Sequence, residues 1–226
     1  MTLTVKHIIQ KTIAAHGGAV WKHPETLQLN GSAVMYPENG TEIILDTYAM
    51  WRVFPKTNTH ARKANGKVAL LAMSGAEVFF DLRFDGSASR FLLSDQAKKF
   101  QDHFKWTNNF GFGIIRFALD RNLECTLTDS YHFGTVPCHY IVIKDASGQE
   151  TIFGIRKEDF RILYMGFDTP LGFHLRVYGH FKSYPETAFL MPLSLCIYYD
   201  NVRWFDVRWH DFVLNRSIAP KVFEIN

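Results

Sequence analysis

The sequence predicts a mainly β protein in which a single curved antiparallel sheet of about eleven strands wraps around an apolar interior, with an N-terminal helix and a central helical insertion that plugs or covers it. Three observations predict it. From Pro24 onward, apolar residues recur with a period of two over most of the chain. Turn dipeptides such as Asn39-Gly40 and Asp85-Gly86 separate the alternating runs. The 226 residues are 47% apolar and contain no linker, so we expect one domain spanning residues 1–226.

Residues 1–18 are predicted to contain the N-terminal helix. Its apolar side is formed by residues at helical spacing: Val5, Ile8, Ile9, Thr12 and Ile13. Thr2 or Thr4 is a suitable N-cap, and Gly17-Gly18 ends the helix. His16, directly before these glycines, is expected to cap the last carbonyls.

The strands follow from alternation between turn residues. The alternating runs are 27–35, 43–54, 60–64, 67–73, 77–84, 124–131, 137–144, 149–156, 160–167, 173–181, 193–199 and 204–214. They give eleven or twelve strands. So many successive antiparallel strands must curl around an apolar interior, since long flat sheets are rare and open edges promote aggregation.

Residues 94–122 interrupt this rhythm and are predicted to form the helical lid. Ser94 or Asp95 can cap a helix that continues to about His103. Asn108 can cap a second helix that continues to about Leu119. Glycines at positions 111 and 113 weaken the beginning of the second helix, so a loop there is an alternative.

Charge and cysteine content exclude several classes of protein. The net charge is +3 and basic residues cluster only in pairs, so we expect no nucleic-acid partner. Cys125, Cys138 and Cys196 show no CxxC spacing and are expected to be free thiols, with a Cys125–Cys138 disulfide as the alternative. No apolar run reaches the length of a transmembrane segment. The expected location is cytoplasmic if Met1 is the native start and periplasmic if a leader was removed.

Short motifs recur along the chain in a familiar order. They are Ala15-His16-Gly17-Gly18 with Trp21, Leu27-Gln28-Leu29-Asn30-Gly31, Arg62-Lys63-Ala64-Asn65-Gly66-Lys67, Asp85-Gly86, Tyr198-Tyr199-Asp200-Asn201 and Val213-Leu214-Asn215. This order resembles the LolA/LolB-like superfamily of periplasmic lipoprotein carriers and outer-membrane lipoprotein-sorting relatives, over essentially the whole chain. The resemblance implies an unclosed antiparallel β-barrel with a hydrophobic cavity under the helical lid, suited to an acyl chain or another lipophilic molecule.

Candidate acid–base residues lie on two of the predicted strands. His174, Arg176, Tyr178 and His180 share one face of strand 173–181, and His210 lies on the last strand. Inside a barrel this polar face would be a binding or catalytic site; outside it would be a solvated face, which is the alternative we favour. We expect Asp206, also on the last strand, to form a salt bridge with Arg203 or Arg208, rather than to pair with Tyr178 or His180.

Candidate ligand-binding residues come from the aromatic excess, since Phe, Trp and Tyr make up 15% of the chain. Many of these rings cluster around the lid, and either core packing or a large apolar pocket explains them. The ligand-binding candidates are Phe79, Phe104, Trp106, Phe110 and Phe117, with Arg62 and Arg83 as cations that could face inward.

These patterns lead to one favoured function and two alternatives. The favoured one is binding of a lipophilic small molecule or acyl chain in the hydrophobic cavity. The first alternative is a cofactor-independent enzyme, a lyase, isomerase or cyclase that uses the His, Tyr and Arg candidates on an apolar substrate. No cofactor and no metal site is predicted, because the familiar motifs for them are absent. The second alternative is a subunit that binds a protein partner through the lid face.

Overall fold

Twelve antiparallel strands form one sheet in the described part of the chain. The computed structural model describes residues 3–38, 40–56, 66–103, 110–183 and 186–225. The strands are β1 Thr26–Met35, β2 Ile43–Val53, β3 Lys67–Ser74, β4 Glu77–Phe84, β5 Ser89–Leu93, β6 Glu124–Thr128, β7 Cys138–Lys144, β8 Glu150–Arg156, β9 Ile162–Thr169, β10 Gly172–Ser183, β11 Leu190–Tyr199 and β12 Val202–Leu214. Their spatial order is β5-β4-β3-β2-β1-β12-β11-β10-β9-β8-β7-β6. The barrel is therefore unclosed, as the family resemblance implies.

The order of the strands places the helical insertion. The chain runs outward from β1 to one edge at β5, and resumes at the opposite edge with β6. The insertion therefore connects the two edges of the sheet. Its described helices are α3 (Asp95–Lys98) and α4 (Gly113–Phe117). The Ser94 side chain caps α3, as expected. The predicted cap Asn108 lies outside the described residues, and the described part of the second helix begins at Gly113.

The remaining helices lie at the two ends of the chain. Helix α1 (Val5–Ala15) has Thr4 as its N-cap, and α2 (Ala19–Lys22) follows after the glycine pair. A 3₁₀ helix (Pro220–Phe223) lies near the C-terminus. Within the described residues, no helix has both the length and the apolar character needed to cross a membrane.

One large hydrophobic core lies on the concave side of the sheet. Buried residues of α1, α2 and α4 pack there against the inward side chains of the strands, among them Ile8, Trp21, Ile114, Leu29 and Phe205. The predicted inward row of β1, with Leu27, Leu29, Ala33 and Met35, is buried as expected. Burial of this row against the helices is what gives the sheet its inner face.

A second, smaller cluster covers the opposite face of β10. Phe173, Leu175 and Val177 pack there with Tyr131 and Phe133, which precede β7. Because this outer cover buries the apolar residues of β10, the polar residues between them face the main core. The expectation that His174 and Arg176 face solvent is therefore wrong: their exposed fractions are 0% and 6%.

One strand was missed, one predicted strand is untested, and the faces of the last strand need correction. Strand β5 was not predicted, because it is an edge strand with little burial on either face and so lacks a clear alternation. The predicted strand 60–64 lies outside the described residues. In the last strand, the faces differ from simple alternation because His210 is the extra residue of a β-bulge: Asn30 is opposite Asp211 and Gly31 is opposite Trp209. Phe212 therefore shares the inner face with Trp209.

The cysteine and aspartate predictions agree with the structure. Cys125, Cys138 and Cys196 are free and half-buried, which excludes the alternative disulfide. Asp206 forms the expected salt bridge with Arg203.

Candidate functional site

A cavity lies between the concave face of the sheet and the helices. It contains about 1300 Å³ of empty space, including the part at its mouth that is open to solvent. Most of its lining is apolar or aromatic. The strands contribute Leu27, Leu29, Tyr48, Met50, Leu70, Leu195, Ile197 and Trp209, and the helices and their flanking segments contribute Trp21, Phe110, Phe112 and Phe117. This lining is typical of a site for an apolar ligand.

Four cations interrupt the apolar lining. They are Lys22, Arg52, Arg116 and Arg176, and no aspartate or glutamate is found among the described lining residues. Lys22 has a partner outside the cavity, since its Nζ lies 2.7 Å from a carboxylate oxygen of Asp120. The three arginines are the other cations of the described lining.

Arg176 is held in place by hydrogen bonds. Its Nε donates to Nε2 of His174 at 3.0 Å, and its Nη1 donates to the carbonyl oxygen of Phe110 at 2.9 Å. The guanidinium also acts on the neighbouring Tyr178 hydroxyl: burial raises the pKa of Tyr178, and the charge of Arg176 opposes this rise. Arg176 thereby connects β10 to the segment that leads into α4, and the Phe110 ring stacks on Phe167 at a centroid distance of 3.5 Å.

Arg116 is buried among aromatic rings. Its guanidinium carbon lies 4.5 Å from the centre of the Trp21 ring and 5.1 Å from that of Phe54. Only 6% of the residue is exposed, and its Nε has no hydrogen-bond partner among the described residues. Burial, with a smaller contribution from the charge of Arg52, lowers the pKa of Arg116 to about 9. The side chain therefore remains a cation at neutral pH.

Arg52 lies on the inner face of β2, in the same row as Tyr48 and Met50. Its guanidinium carbon is 5.7 Å from the centre of the Phe54 ring, so Phe54 contacts both Arg52 and Arg116. The Nε of Arg52 is also buried without a described partner. Burial and the neighbouring Arg176 lower the pKa of Arg52 to about 10, so it too is charged at neutral pH.

His174 lies behind Arg176 and does not line the cavity. Its ring stacks on Phe167 at 4.5 Å, and burial, together with the positive charge of Arg176, holds its pKa well below the ordinary value. The imidazole is therefore neutral. Since its Nε2 lone pair already accepts a hydrogen bond from a cation, His174 is poorly placed to act as a general base.

The structure brings only some of the sequence-predicted site residues together. Phe110, Phe117, Arg176 and Tyr178 line the cavity. Two others point elsewhere. His180 and His210 are exposed on the sheet, outside the cavity. Arg62, Phe104 and Trp106 lie outside the described residues.

Phe79 and Arg83, on β4, make their contacts outside the cavity. Phe79 is buried in the main core but is not part of the cavity lining. Arg83 pairs with Asp81 at 2.7 Å and donates to the carbonyl oxygens of Lys221 and Glu224, so it fastens the C-terminal segment to the sheet. Arg83, considered as a cation that could face inward, is therefore not among the residues that line the cavity.

Sequence reasoning missed Arg52 and Arg116, and for Arg52 a signal existed. An arginine at position 52 continues the inward row of Tyr48 and Met50, and an arginine in a buried row is unusual. For Arg116 the signal is weaker. Helix α4 is buried on several sides, with Ile114, Ile115 and Phe117 all covered, so no helical periodicity marks the direction of its one cation.

Comparisons with known proteins identify the architecture. No family model and no curated protein sequence matches the chain. Among solved structures, a domain from Vibrio parahaemolyticus described as an outer membrane lipoprotein-sorting protein superposes with a TM-score of 0.58 at 10% identity, covering 97% of both chains. A LolA superfamily protein from Nitrosomonas europaea gives a TM-score of 0.54 at 13% identity, covering 99% of this chain and 98% of the other.

A third solved structure agrees with these two. A DUF1329 family protein from Desulfovibrio piger has a TM-score of 0.58 at 10% identity, with 99% of this chain and 98% of the other covered. At such identities the likeness concerns the fold and not the activity. Together with the unclosed twelve-stranded sheet, these superpositions show that the chain has a LolA-like fold.

Proposed function

We propose that this protein binds a lipophilic small molecule or an acyl chain in the cavity under its helices. The observation that carries the proposal is the cavity itself: about 1300 Å³ of partly open space, lined mainly by apolar and aromatic side chains. Transfer of an apolar chain from water into such a space is favourable by roughly 25 cal/mol for each Å² of apolar surface removed from water.

The fold supports the same proposal. Two of the structures that superpose on the whole chain are described as a lipoprotein-sorting domain and as a LolA superfamily protein. An acyl chain is therefore a reasonable first ligand to test. The lipoprotein-sorting neighbour also favours the periplasmic of the two expected locations, which fractionation of cells expressing the chromosomal gene would check.

Cofactor-independent acid–base catalysis has less support. Two of the candidate histidines, His180 and His210, are exposed outside the cavity, and the third, His174, has its Nε2 engaged by Arg176. Tyr178 and Arg176 do line the cavity, but their arrangement equally serves binding. The binding proposal therefore needs fewer assumptions.

The first experiment is native mass spectrometry of the purified protein, followed by extraction of any bound molecule and calorimetric titration with dodecanol. We expect the uncharged alcohol to bind the wild type. Leu195→Trp places an indole in the cavity and is expected to weaken dodecanol binding at least roughly tenfold, because the ligand would have to displace well-packed atoms.

The matched control is Val213→Trp, which adds the same ring on the exposed outer face of β12. We expect this variant to bind dodecanol like the wild type. Thermal unfolding of both variants checks that each is folded. Equal dodecanol affinities for the two variants would place the ligand outside the cavity and contradict the proposal.

A further inference from the structure

We propose, resting on the function proposed above, that the ligand is an anionic amphiphile whose carboxylate or phosphate head group is bound by Arg52, Arg116 and Arg176 while its apolar chain fills the rest of the cavity. A purely apolar ligand would leave these three cations at the cavity without a partner from the ligand. An amphiphile matches both parts of the lining.

The charge balance of the cavity carries this inference. The described lining contains four cations and no acid, and Lys22 is compensated by the carboxylate of Asp120. Arg52 and Arg116 have no carboxylate within salt-bridge distance in the part of the chain that the structure describes. A buried charge without an opposite charge is costly, and proteins rarely retain one without a use for it.

Other arginines of the same chain show what a structural arginine looks like here. Arg83 pairs with Asp81, Arg156 with Asp159, and Arg203 with Asp206, in each case a carboxylate two or three residues away. These pairs lie at the surface of the sheet. Arg116 is buried more deeply than these three, and neither Arg116 nor the half-buried Arg52 has such a carboxylate in the described part of the chain.

The three arginines surround one short segment. Arg176 donates to the carbonyl of Phe110, Arg52 approaches Gly111 so closely that a Cβ there would lie 3.6 Å from its Nη1, and Arg116 belongs to α4, which begins two residues later. Arg52 and Arg116 also flank the same Phe54 ring. Their guanidinium groups therefore face one region of the cavity.

Guanidinium chemistry identifies the head group. Each guanidinium presents a planar fork of donors that fits the oxygens of a carboxylate or phosphate, often with two parallel hydrogen bonds. The buried Nε of Arg116 has no described partner and is available as one such donor. An anion at this position would also offset the mutual repulsion of the cations, which contributes to the lowered pKa values of Arg52 and Arg116.

The test compares ligands of one chain length and different head groups on the wild-type protein. Dodecanoate, dodecyl phosphate, dodecanol and dodecylammonium are titrated calorimetrically below their aggregation concentrations at neutral pH. We expect at least one of the two anions to bind roughly tenfold to a hundredfold more tightly than dodecanol, and dodecylammonium to bind more weakly. The tighter of the two anions identifies the head group as carboxylate or phosphate.

Variants then assign the preference to the arginines. In the double variant Arg52→Gln/Arg116→Gln we expect the advantage of the anion over dodecanol to disappear while dodecanol still binds. Arg208→Gln removes one exposed positive charge from the outer face of β12 and is expected to keep the full advantage. Arg116→Lys keeps the charge and is expected to keep part of it.

Each outcome separates the inference from the proposed function. Dodecanol binding without any anionic preference would overturn the inference and leave the proposed function standing. Failure of all four ligands to bind would overturn the proposed function and the inference with it.

Thermal unfolding checks that the double variant is folded. We expect it to be at least as stable as the wild type, because two positive charges without a carboxylate partner have been removed. The wild-type comparison of head groups needs no variant at all.

Discussion

The buried basic side chains of this protein differ in the contacts that surround their charged or polar groups. Arg176 donates to His174 and to a backbone carbonyl, whereas Arg116 is surrounded by the faces of two aromatic rings. The faces of aromatic rings attract a cation, but they do not supply the hydrogen bonds that a guanidinium loses on leaving water. Arg116 is thus stabilised in position and still able to donate.

His16 is a buried imidazole, and the role of its ring differs from the expected capping of carbonyls. It occupies the C-cap of α1, yet its ring is fully buried and its Nε2 accepts a hydrogen bond from the backbone N–H of Ile162 at 3.0 Å. Its backbone carbonyl accepts from the N–H of Leu190. His16 therefore joins the N-terminal helix to β9 and β11, and it does so as a neutral ring.

The first prediction concerns pH and this histidine. Burial, and secondarily the charge of Arg116, lowers the pKa of His16 from 6.5 to about 3. Between these values the unfolded chain binds a proton on the ring and the folded chain does not. We therefore expect the free energy of unfolding to fall as the pH drops from about 6.5 toward 3, by about 1.4 kcal/mol per pH unit from His16 near the middle of this range.

The measurement is denaturant unfolding at a series of pH values. His174, whose pKa is also lowered by burial, adds to the slope. In His16→Gln the slope should decrease by about 1.4 kcal/mol per pH unit. His210→Gln removes an exposed imidazole and is the control, expected to keep the wild-type slope. An unchanged slope in His16→Gln would show that this ring is not the protein's acid-sensitive group.

At the scale of elements, β10 reverses the usual relation between polarity and burial. Its apolar residues face the outer cluster and its polar residues face the core, because the segment before β7 supplies Tyr131 and Phe133 as an outer cover. A strand covered on both faces can carry a polar row inward when that row is hydrogen-bonded. The bonds from Arg176 to His174 and to the carbonyl of Phe110 meet that condition.

Strands β1 and β12 meet at a bulge that also determines the inner face. The register shifts at Gly31, and a Cβ there would lie 2.1 Å from the carbonyl oxygen of Arg208. Only glycine allows so close an approach of the two backbones. The bulge returns Phe212 and Leu214 to the inner face, in line with Trp209.

The second prediction follows from this close approach. We expect Gly31→Ala to lower the free energy of unfolding by about 3 kcal/mol, because the added methyl group meets backbone atoms that cannot move without opening the sheet. Denaturant unfolding measures the change. The control is Gly111→Ala, whose added Cβ would have ordinary contacts only, and we expect a cost below about 1 kcal/mol. Equal costs for the two variants would mean that the bulge accommodates a side chain.

At the scale of the whole molecule, topology creates the cavity. The first and last strands pair with each other in the middle of the sheet, and the insertion connects its two edges. Inner side chains of β1 and β12, Leu27, Leu29 and Trp209, therefore form the centre of the cavity wall. Residues from both ends of the chain and from the insertion meet only when the entire sheet has formed.

The third prediction uses the tryptophans to locate the ligand. Trp209 lines the cavity, whereas Trp51 alternates with the inward residues Met50 and Arg52 and lies on the outer face of β2. Bromine quenches indole fluorescence at close range, so a dodecanoate brominated along its chain should quench the wild type on binding. We expect Trp209→Phe to reduce the quenched fraction, with Trp21 as a remaining cavity indole, and Trp51→Phe to keep or raise it. The reverse result would place the chain outside the cavity.

Much of the fold could be predicted from the sequence by local rules. Alternation and turn residues give eleven of the twelve strands and the position of the insertion, and helical spacing gives a helix within residues 1–18, since each depends on neighbours along the chain. The edge strand β5 escaped because little of it is buried on either side. Phe110 and Phe117 were expected at the cavity, and they line it, because aromatic residues of a lid face the interior of the sheet that they cover.

The sequence by itself determined the class of the fold, the order of its elements and the apolar character of its interior. Only the tertiary structure decided which face of β10 is inside, how the bulge at His210 exchanges the inner and outer faces of the last strand, and which arginines meet at the cavity. The physical reason is that each of these depends on what packs against a strand from elsewhere in the chain. Arg52, Arg116 and Arg176 are 64 and 60 residues apart in sequence, and only the packing of α4 against β2 and β10 brings them to one region.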